Sequence, residues 1–509
     1  MRSKNASKNL LLYIIYELLT FGCGLLFPRY IIGIYGSEIN GLTSTISRVL
    51  SLIMLIQAGA VGAAIYQMYK PVAEKDYETQ SAIIYASKRF YNIVSLVYLA
   101  ASIGLGIFYS FYLKNDTLSF IGILISFLIL AFNGFNILLF NSICDIFVSS
   151  HQKRYYLSIA LICELFVRYS LLSFVLIFKL HYLFIYCSYF LGGLTSVLIN
   201  LLFYKKLSKG IINKNPNNKN YVIPDRKYLT FSSVGSEVVN ISPSIIITTF
   251  VSLTASSVFS VYAMIFTSIR TMLNSIQLSF SAIFGNITKT ESEDRIFNVH
   301  SFIELFTIVM GTIVSCCAGF LIVPFIMLYT NGIADANYLY VNLSIFVVAF
   351  IVIFTFRTSF GYVSTVYGLF KDICVITLLF GGLGIVISVL SVIFAGMPYV
   401  MIGLIFNELG CSIVTLIVLK KKVPWFKMKH LFIRSMVMLF LASASTLLYF
   451  VISPTINNWL VWIVFGLIAF ISSSIVMVLY CVLFERKYIK MFFAYVKTLL
   501  AKRKQSIAE

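Results

Sequence analysis

The sequence predicts an all-α, polytopic membrane protein of about 14 transmembrane helices, organised as two six-helix bundles in a pseudo-twofold parallel repeat followed by two extra C-terminal helices. Three observations carry that expectation. Hydrophobic residues make up 60% of the 509-residue chain and charged residues 11%, with a mean hydropathy of +0.93, a balance that cannot clothe a soluble surface. Apolar runs of about 20 residues, enough to cross a roughly 30 Å hydrocarbon core as helix, recur along the whole sequence. The cations sit mostly between the runs and on one side. With the amino terminus in the cytoplasm, 31 of the 39 Lys and Arg fall in cytoplasmic segments, and Arg29, Lys114 and Lys179 lie toward the outer face.

That bias places both termini in the cytoplasm. It also makes the net charge of +20 a topology signal and a contact with anionic membrane lipid, so nucleic acid is not an expected partner.

The first run, near 9–32, carries Glu17 about two turns inside its cytoplasmic end and closes on Pro28 and Arg29. Its length and its lack of a small-residue cleavage site mark a retained helix instead of a signal peptide. A carboxylate at that depth costs a few kcal/mol in lipid, so Glu17 is expected to meet a wet cavity or a polar partner. The second run, near 42–66, holds Arg48. A cation at the centre of a membrane helix costs about 2.5–3.5 kcal/mol, and Arg48 is expected to face a cavity. This run leaves through the small residues around Gly59 and Gly62 into a charged loop, Lys70 to Asp76, where Pro71 is expected to stop the helix.

Runs near 89–112, 118–143, 156–178 and 182–204 complete a first lobe, residues 1–204. On the fifth run Glu164 and Arg168 stand at i and i+4, a spacing that lets them neutralise each other on one helix face or serve the cavity. Residues 205–228 are polar, basic and rich in Asn, with Pro216 and Pro224, and read as a cytoplasmic linker.

A second lobe, 229–419, takes runs near 229–252, 256–286, 300–328, 340–366, 373–395 and 398–419. Sliding the chain by 222 residues lays Arg270 on Arg48 and Gly285 on Ala63, and brings Glu237 within two residues of the place matching Glu17. Six spans per lobe insert both lobes the same way up, a parallel repeat. Arg48 and Arg270 are then expected to face one another across a central cleft, with Glu17 and Glu237 nearby. His300 and Glu304 open the ninth run, where solvation at the cytoplasmic border is expected to account for both. The tenth holds Arg357, expected to be an unpaired cation on the same argument as Arg48.

Lys420 to Lys429 and Arg434 mark a further basic cytoplasmic turn, and runs near 432–452 and 459–483 form the two additional helices of 420–484. Residues 485–509 set Ile489, Phe492, Phe493, Val496 and Leu499 among Lys490, Lys497, Lys502, Arg503 and Lys504, the pattern of an interfacial helix on the cytoplasmic leaflet. The nine Cys lie almost all inside apolar runs and read as small core residues with no disulfide framework. The four His stand singly, without metal-ligand spacing.

Two stretches carry a family resemblance. Gly36-Ser-Glu-Ile-Asn-Gly-Leu42, the Leu/Ile-rich span that follows, Tyr69-Lys-Pro-Val-Ala-Glu-Lys-Asp76 and Arg89-Phe-Tyr91 are similar to the amino-terminal region of polysaccharide biosynthesis proteins. These are the Wzx-type oligosaccharide flippases of the multidrug/oligosaccharidyl-lipid/polysaccharide exporter superfamily. Arg357, Gly361 and Tyr367-Gly-Leu-Phe-Lys-Asp372, leading into a Gly-rich span, resemble that family's tenth and eleventh helices. Where the family often has an acidic residue near the end of the second helix this chain has Gln57, so no role for an acid is carried over there.

The resemblance implies a bacterial plasma (inner) membrane flippase that moves a polyprenyl-pyrophosphate-linked oligosaccharide repeat unit to the outer leaflet by alternating access. It implies service to O-antigen (lipopolysaccharide), capsule or exopolysaccharide synthesis, with a glycan polymerase and other assembly proteins as partners. The additional helix pair resembles the helices against which a polyprenyl tail is accommodated. The residues fit that substrate, because Arg48, Arg270, Arg357 and Arg168 offer planar, permanently charged donors for phosphate oxygens. Glu17, Glu237 and Glu164 are the candidates for H⁺ or Na⁺ coupling, and no other cofactor or metal is expected.

An enzyme is not expected: the chain has no G-x-x-x-x-G-K-[ST] stretch, no long outer loop and no His or carboxylate cluster with catalytic spacing. Two rival readings stand beside the flippase. One is an ion-coupled small-molecule or drug antiporter of the same superfamily, which usually has fewer spans and an acidic instead of an Arg-lined cavity. The other is a membrane glycosyltransferase or acyltransferase.

Overall fold

The computed structural model describes residues 2–57, 59–114, 117–213, 216, 218, 221, 227–452 and 456–488. The helices of its amino-terminal half are α1 (Arg2–Tyr35), α2 (Ser37–Met54), α3 (Ala60–Glu74), α4 (Tyr77–Leu113), α5 (Phe120–Asn136), α6 (Ser142–Ser150), α7 (Tyr155–Ile177) and α8 (Leu183–Ser208). Then come α9 (Lys227–Phe250), α10 (Leu253–Thr290), α11 (Glu293–Tyr329), α12 (Val341–Val366), α13 (Phe370–Ala395), α14 (Met401–Lys422), α15 (Lys429–Ile452) and α16 (Trp459–Phe484). Among the described residues there is no strand, and 13 helical stretches are long and apolar enough to cross a membrane. The shorter apolar stretch Val234–Phe250 stands at the seventh expected span. This is an all-helical, multi-pass membrane protein.

The last span is observed over Trp459–Phe484 against the expected 459–483, whereas α4 begins at Tyr77, twelve residues ahead of the expected start of the third span. Two local expectations fail. The second span is not one helix: α2 runs into a 3₁₀ turn, Leu55–Gln57, and α3 starts after Gly59. Gly59 sits at φ +81°, a left-handed conformation that a residue without Cβ adopts at no steric cost. Pro71 does not stop α3 either. It lies inside the helix, which runs on to Glu74 and ends where Lys75 turns left-handed at φ +58°. Proline removes one N–H but keeps its carbonyl, and the Pro71 oxygen accepts from Asp76 N at 2.9 Å and Gln80 Nε2 at 2.9 Å.

The chain groups into two compact units. The first takes residues up to 264 with 332–337 and 377–400, and the second takes 265–331, 338–376 and 401 onward. In the first unit α7 packs along α8 and on α1, α5 lies against both α4 and α8, and α9 packs on α2. Its core gathers Leu42, Ile46, Ile123, Phe127, Leu172 and Tyr186, all fully buried. In the second, α11 is the hub, touching α12, α15 and α16, while α12 also packs on α14. Phe284, Ile303, Phe360, Val363, Leu419 and Leu431 fill its core.

The outer helices expose apolar surface. Met477 is the one buried residue of α16, whereas Leu460, Leu467, Phe470 and Phe484 are each more than half exposed. A helix apolar all round with almost none of it covered has lipid as its solvent. The expected linker begins later than residue 205, since α8 continues to Ser208. Most of that linker, and the tail from Ile489 onward, lie outside the described residues.

Candidate functional site

The stretch that carried the family resemblance builds a polar seam inside the first unit. At the start of α2, Ser37 donates its backbone N–H to Asp335 Oδ2 at 2.6 Å and its hydroxyl to Oδ1 at 2.9 Å. A carboxylate there satisfies an amide left open by the first turn and complements the helix dipole. One residue on, the Glu38 carboxylate accepts from the Thr117 hydroxyl. Asn40 Nδ2 donates to Ser257 Oγ at 2.8 Å and to Ser260 Oγ at 3.2 Å on α10, and the Thr45 and Thr248 hydroxyls lie 2.7 Å apart between α2 and α9. Gly41 makes the approach possible: a Cβ on it would stand 1.9 Å from the carbonyl oxygen of Leu253.

Arg48 sits on a different face of the same helix. The buried side of α2 is formed by Ile39, Leu42, Ile46, Val49 and Leu50. Around it, Ser44, Ser47, Arg48 and Ser51 make a stripe at helical spacing that is half-buried or exposed. Along this stripe the Ser47 hydroxyl donates to the Thr43 carbonyl at 2.8 Å and Ser51 to the Ser47 carbonyl at 2.7 Å, a ladder of i→i−4 bonds.

Arg270 has the same kind of setting on α10. It is half-buried, its guanidinium lies 5.7 Å from the Phe354 ring centroid on α12, and beside it Thr271, Ser275 and Ser279 donate in turn to the carbonyls of Thr267, Thr271 and Ser275. Each back-bond uses the hydroxyl proton and leaves lone pairs open. A permanent cation beside a row of hydroxyls is a poor surface for hydrocarbon and a good one for water or for a phosphorylated, hydroxylated headgroup.

Arg168 and Glu164 form a hydrogen-bonded ion pair along α7, with the guanidinium 4.9 Å from the Tyr189 ring centroid on α8. Glu164 is buried, so both charges of this pair are largely spoken for within the first unit. Glu17 on α1 is half-buried and hydrogen-bonded to Tyr13 one turn earlier, and Glu237 on α9 is exposed.

Arg357 is not the unpaired cation its sequence neighbourhood predicts. It donates to Glu408 Oε2 on α14 at 2.8 Å, with the Arg357 side chain 25% exposed and that of Glu408 only 7%. Asn407 Nδ2 reaches the other carboxylate oxygen at 3.4 Å.

Three further expectations are corrected in the second unit. His300 and Glu304, placed by the sequence at a solvated border, are fully buried, and Arg434, expected within a basic turn, has a side chain with no exposure at all. Arg434 donates to Glu304 Oε1 at 2.7 Å, to both carboxylate oxygens of Glu485 at 2.7 and 2.9 Å, and to the Ser301 carbonyl at 2.9 Å. The residues that sequence reasoning missed are carboxylates. Glu408 stands in the middle of an apolar run, and the rule that singles out Arg357, applied to acids as strictly as to bases, finds it.

No family model matches the sequence, and no curated protein is significantly similar to it in sequence. The fold is similar to those of several solved membrane proteins. A structure of the lipid II flippase MurJ in an inward closed conformation superposes with a TM-score of 0.66 at 13% identity, covering 94% of this chain and 99% of that one. An inward-facing multidrug resistance MATE family transporter of the MOP superfamily gives 0.61 at 13% identity, covering 84% and 96%. The eukaryotic MATE transporter AtDTX14 gives 0.54 at 14% identity, covering 86% and 99%.

Proposed function

We propose that this chain is a lipid-linked oligosaccharide flippase, which carries a polyprenyl-pyrophosphate-linked repeat unit from the cytoplasmic to the outer leaflet of a bacterial plasma membrane. The observation that carries this reading is the pair of polar stripes, each with one arginine beside a ladder of hydroxyls, Arg48 on α2 and Arg270 on α10. A pyrophosphate takes charge-assisted hydrogen bonds from guanidinium groups, and sugar hydroxyls exchange hydrogen bonds with Ser and Thr. The likeness to a lipid flippase runs further along the chain than the likeness to a multidrug transporter, which favours a lipid-borne substrate.

In this reading the two six-helix lobes alternate access to the headgroup while the prenyl tail stays in lipid beside α15 and α16. Both termini lie in the cytoplasm, the product feeds a polymerase of O-antigen, capsule or exopolysaccharide, and Glu17, Glu237 and Glu164 link transport to H⁺ or Na⁺. Arg168 and Arg357, already paired with carboxylates, serve as secondary contacts. The test is glycan display in cells that depend on this chain. Arg48→Ala and Arg270→Ala should each abolish surface glycan while the protein still inserts in the membrane, and normal display from both variants would remove the assignment.

A further inference from the structure

At one end of the second unit, where α11 and α15 begin and α16 ends, four ionisable side chains are packed out of contact with water: His300, Glu304, Arg434 and Glu485, with side-chain exposures of 1%, 2%, 0% and 8%. Their charges do not balance. Arg434 is permanently cationic and is gripped by two carboxylates, so with a neutral imidazole the cluster carries one net negative charge. An unbalanced charge in such a site is strongly unfavourable. The geometry shows where compensation belongs. Glu304 gives one oxygen to Arg434 at 2.7 Å and turns the other toward His300 Nε2, 3.5 Å away. His300 Nδ1 is engaged with the Tyr362 hydroxyl at 2.7 Å, while Nε2 is buried without any hydrogen-bond partner.

We infer that this cluster is a proton-binding site, holding one proton between Glu304 Oε2 and His300 Nε2, and that Glu485 belongs to it as the second carboxylate that makes the proton necessary. Whether the proton is written on the carboxyl or on the imidazole, it brings the four groups to neutrality.

Among the described residues, the neighbours supply no other charge to the cluster. α12 contributes Tyr362, and the segment between α14 and α15 contributes Trp425, whose Nε1 donates to the Tyr367 hydroxyl at 2.6 Å. α16 contributes Tyr480 and Cys481, and Tyr488 lies under the Arg434 guanidinium at 5.1 Å. Lys487 is exposed and held by Asn298 Oδ1 at 2.6 Å, and Glu293, Asp294 and Arg295 in the first turn of α11 are exposed to solvent. On α15, His430 lies against Phe297 on the surface side, 6.5 Å between ring centroids.

Arg434 ties the segment after α16 to α11 and α15 through Glu485 and Glu304, and the proton offsets the excess negative charge of that tie, so its loss should loosen that end of the molecule. Above the ordinary histidine pKa of ~6.5 the unfolded chain leaves both Glu304 and His300 deprotonated, whereas the folded chain keeps one proton. The folded state then binds more protons than the unfolded one, and stability must fall as pH rises, with the unfolding constant growing by about tenfold per pH unit for one proton. The experiment is thermal or denaturant unfolding of the full-length protein in lipid nanodiscs between pH 6.5 and 9, for the wild type, Glu304→Gln and Glu485→Gln.

Removing either carboxylate balances Arg434 without a proton, so both variants should lose that tenfold-per-unit slope, even though Glu485→Gln leaves Glu304 and His300 in place. A merely structural role for Glu485 lowers stability by the same amount at every pH. A slope retained in Glu485→Gln, or absent from the wild type, overturns the proposal. Should Glu304→Gln fail to fold, the comparison of Glu485→Gln with wild type decides alone.

Discussion

Arg357 on α12 and Glu408 on α14, 51 residues apart in sequence, meet at 2.8 Å in the second unit. The contact turns a cation that looks solitary in the sequence into half of a pair, and it fixes how each partner responds to change. Taking away one member of a buried pair strands the other, which costs about 3 kcal/mol, whereas removing both is far milder. Glu408→Gln and Arg357→Met should therefore each lower the melting temperature, and the double variant should recover part of the loss. A cycle of thermal melts in detergent checks this, with a coupling of about 0.5–3 kcal/mol expected for groups in contact.

Gly41 sets the distance between α2 and the start of α10. Since a Cβ there would lie 1.9 Å from a backbone oxygen of Leu253, which cannot rotate away, Gly41→Ala must push the helices apart. We expect a loss of about 1–3 kcal/mol, the usual result of overpacking, together with weakening of the Asn40–Ser257 hydrogen bond. A Gly41→Ala variant that melts with the wild type would show that the seam is not closely packed.

Glu17 and Glu237 are proposed to link transport to an ion. Glu17→Gln and Glu237→Gln keep shape and remove charge, so each should flatten the dependence of headgroup transport on a pH or Na⁺ gradient in proteoliposomes. Unchanged gradient dependence in both variants removes the coupling role and leaves the arginine assignment untouched.

Asp76 lies between α3 and α4 and caps α4. The Thr79 hydroxyl and then the Thr79 backbone amide, at 3.0 Å from Oδ1, hold its carboxyl below the ordinary carboxylate range. Because the folded pKa is depressed, this contribution to stability is complete above the unfolded value of ~3.9 and is lost as pH falls through the lower, folded value. Asp76→Asn should lower the melting temperature at neutral pH and leave it nearer the wild type in acid, as measured by melts across pH 3–7.

The membrane class, the position of nearly every helix and the identity of the intramembrane cations are all legible in the sequence. Each depends on quantities that are local in the chain: the length of an apolar run, or the presence of a charge within it. The break at Gly59 and the passage of α3 through Pro71 are less legible, because a glycine permits a left-handed turn without requiring one and a proline removes a single donor near a helix end.

What the chain does not state locally is who answers each charge. Arg357 looks unpaired because its carboxylate stands on another helix, and His300 and Glu304 look solvated because each lies near the start of a span. Tertiary packing alone brings Arg434 and Glu485 onto that same pair of side chains. Hydropathy is a sum over neighbours in sequence, and it determines which segments enter the lipid. Electrostatic balance is a sum over neighbours in space, so only the packing of α11, α12, α14, α15 and α16 decided which charges are cancelled and which cluster still needs a proton.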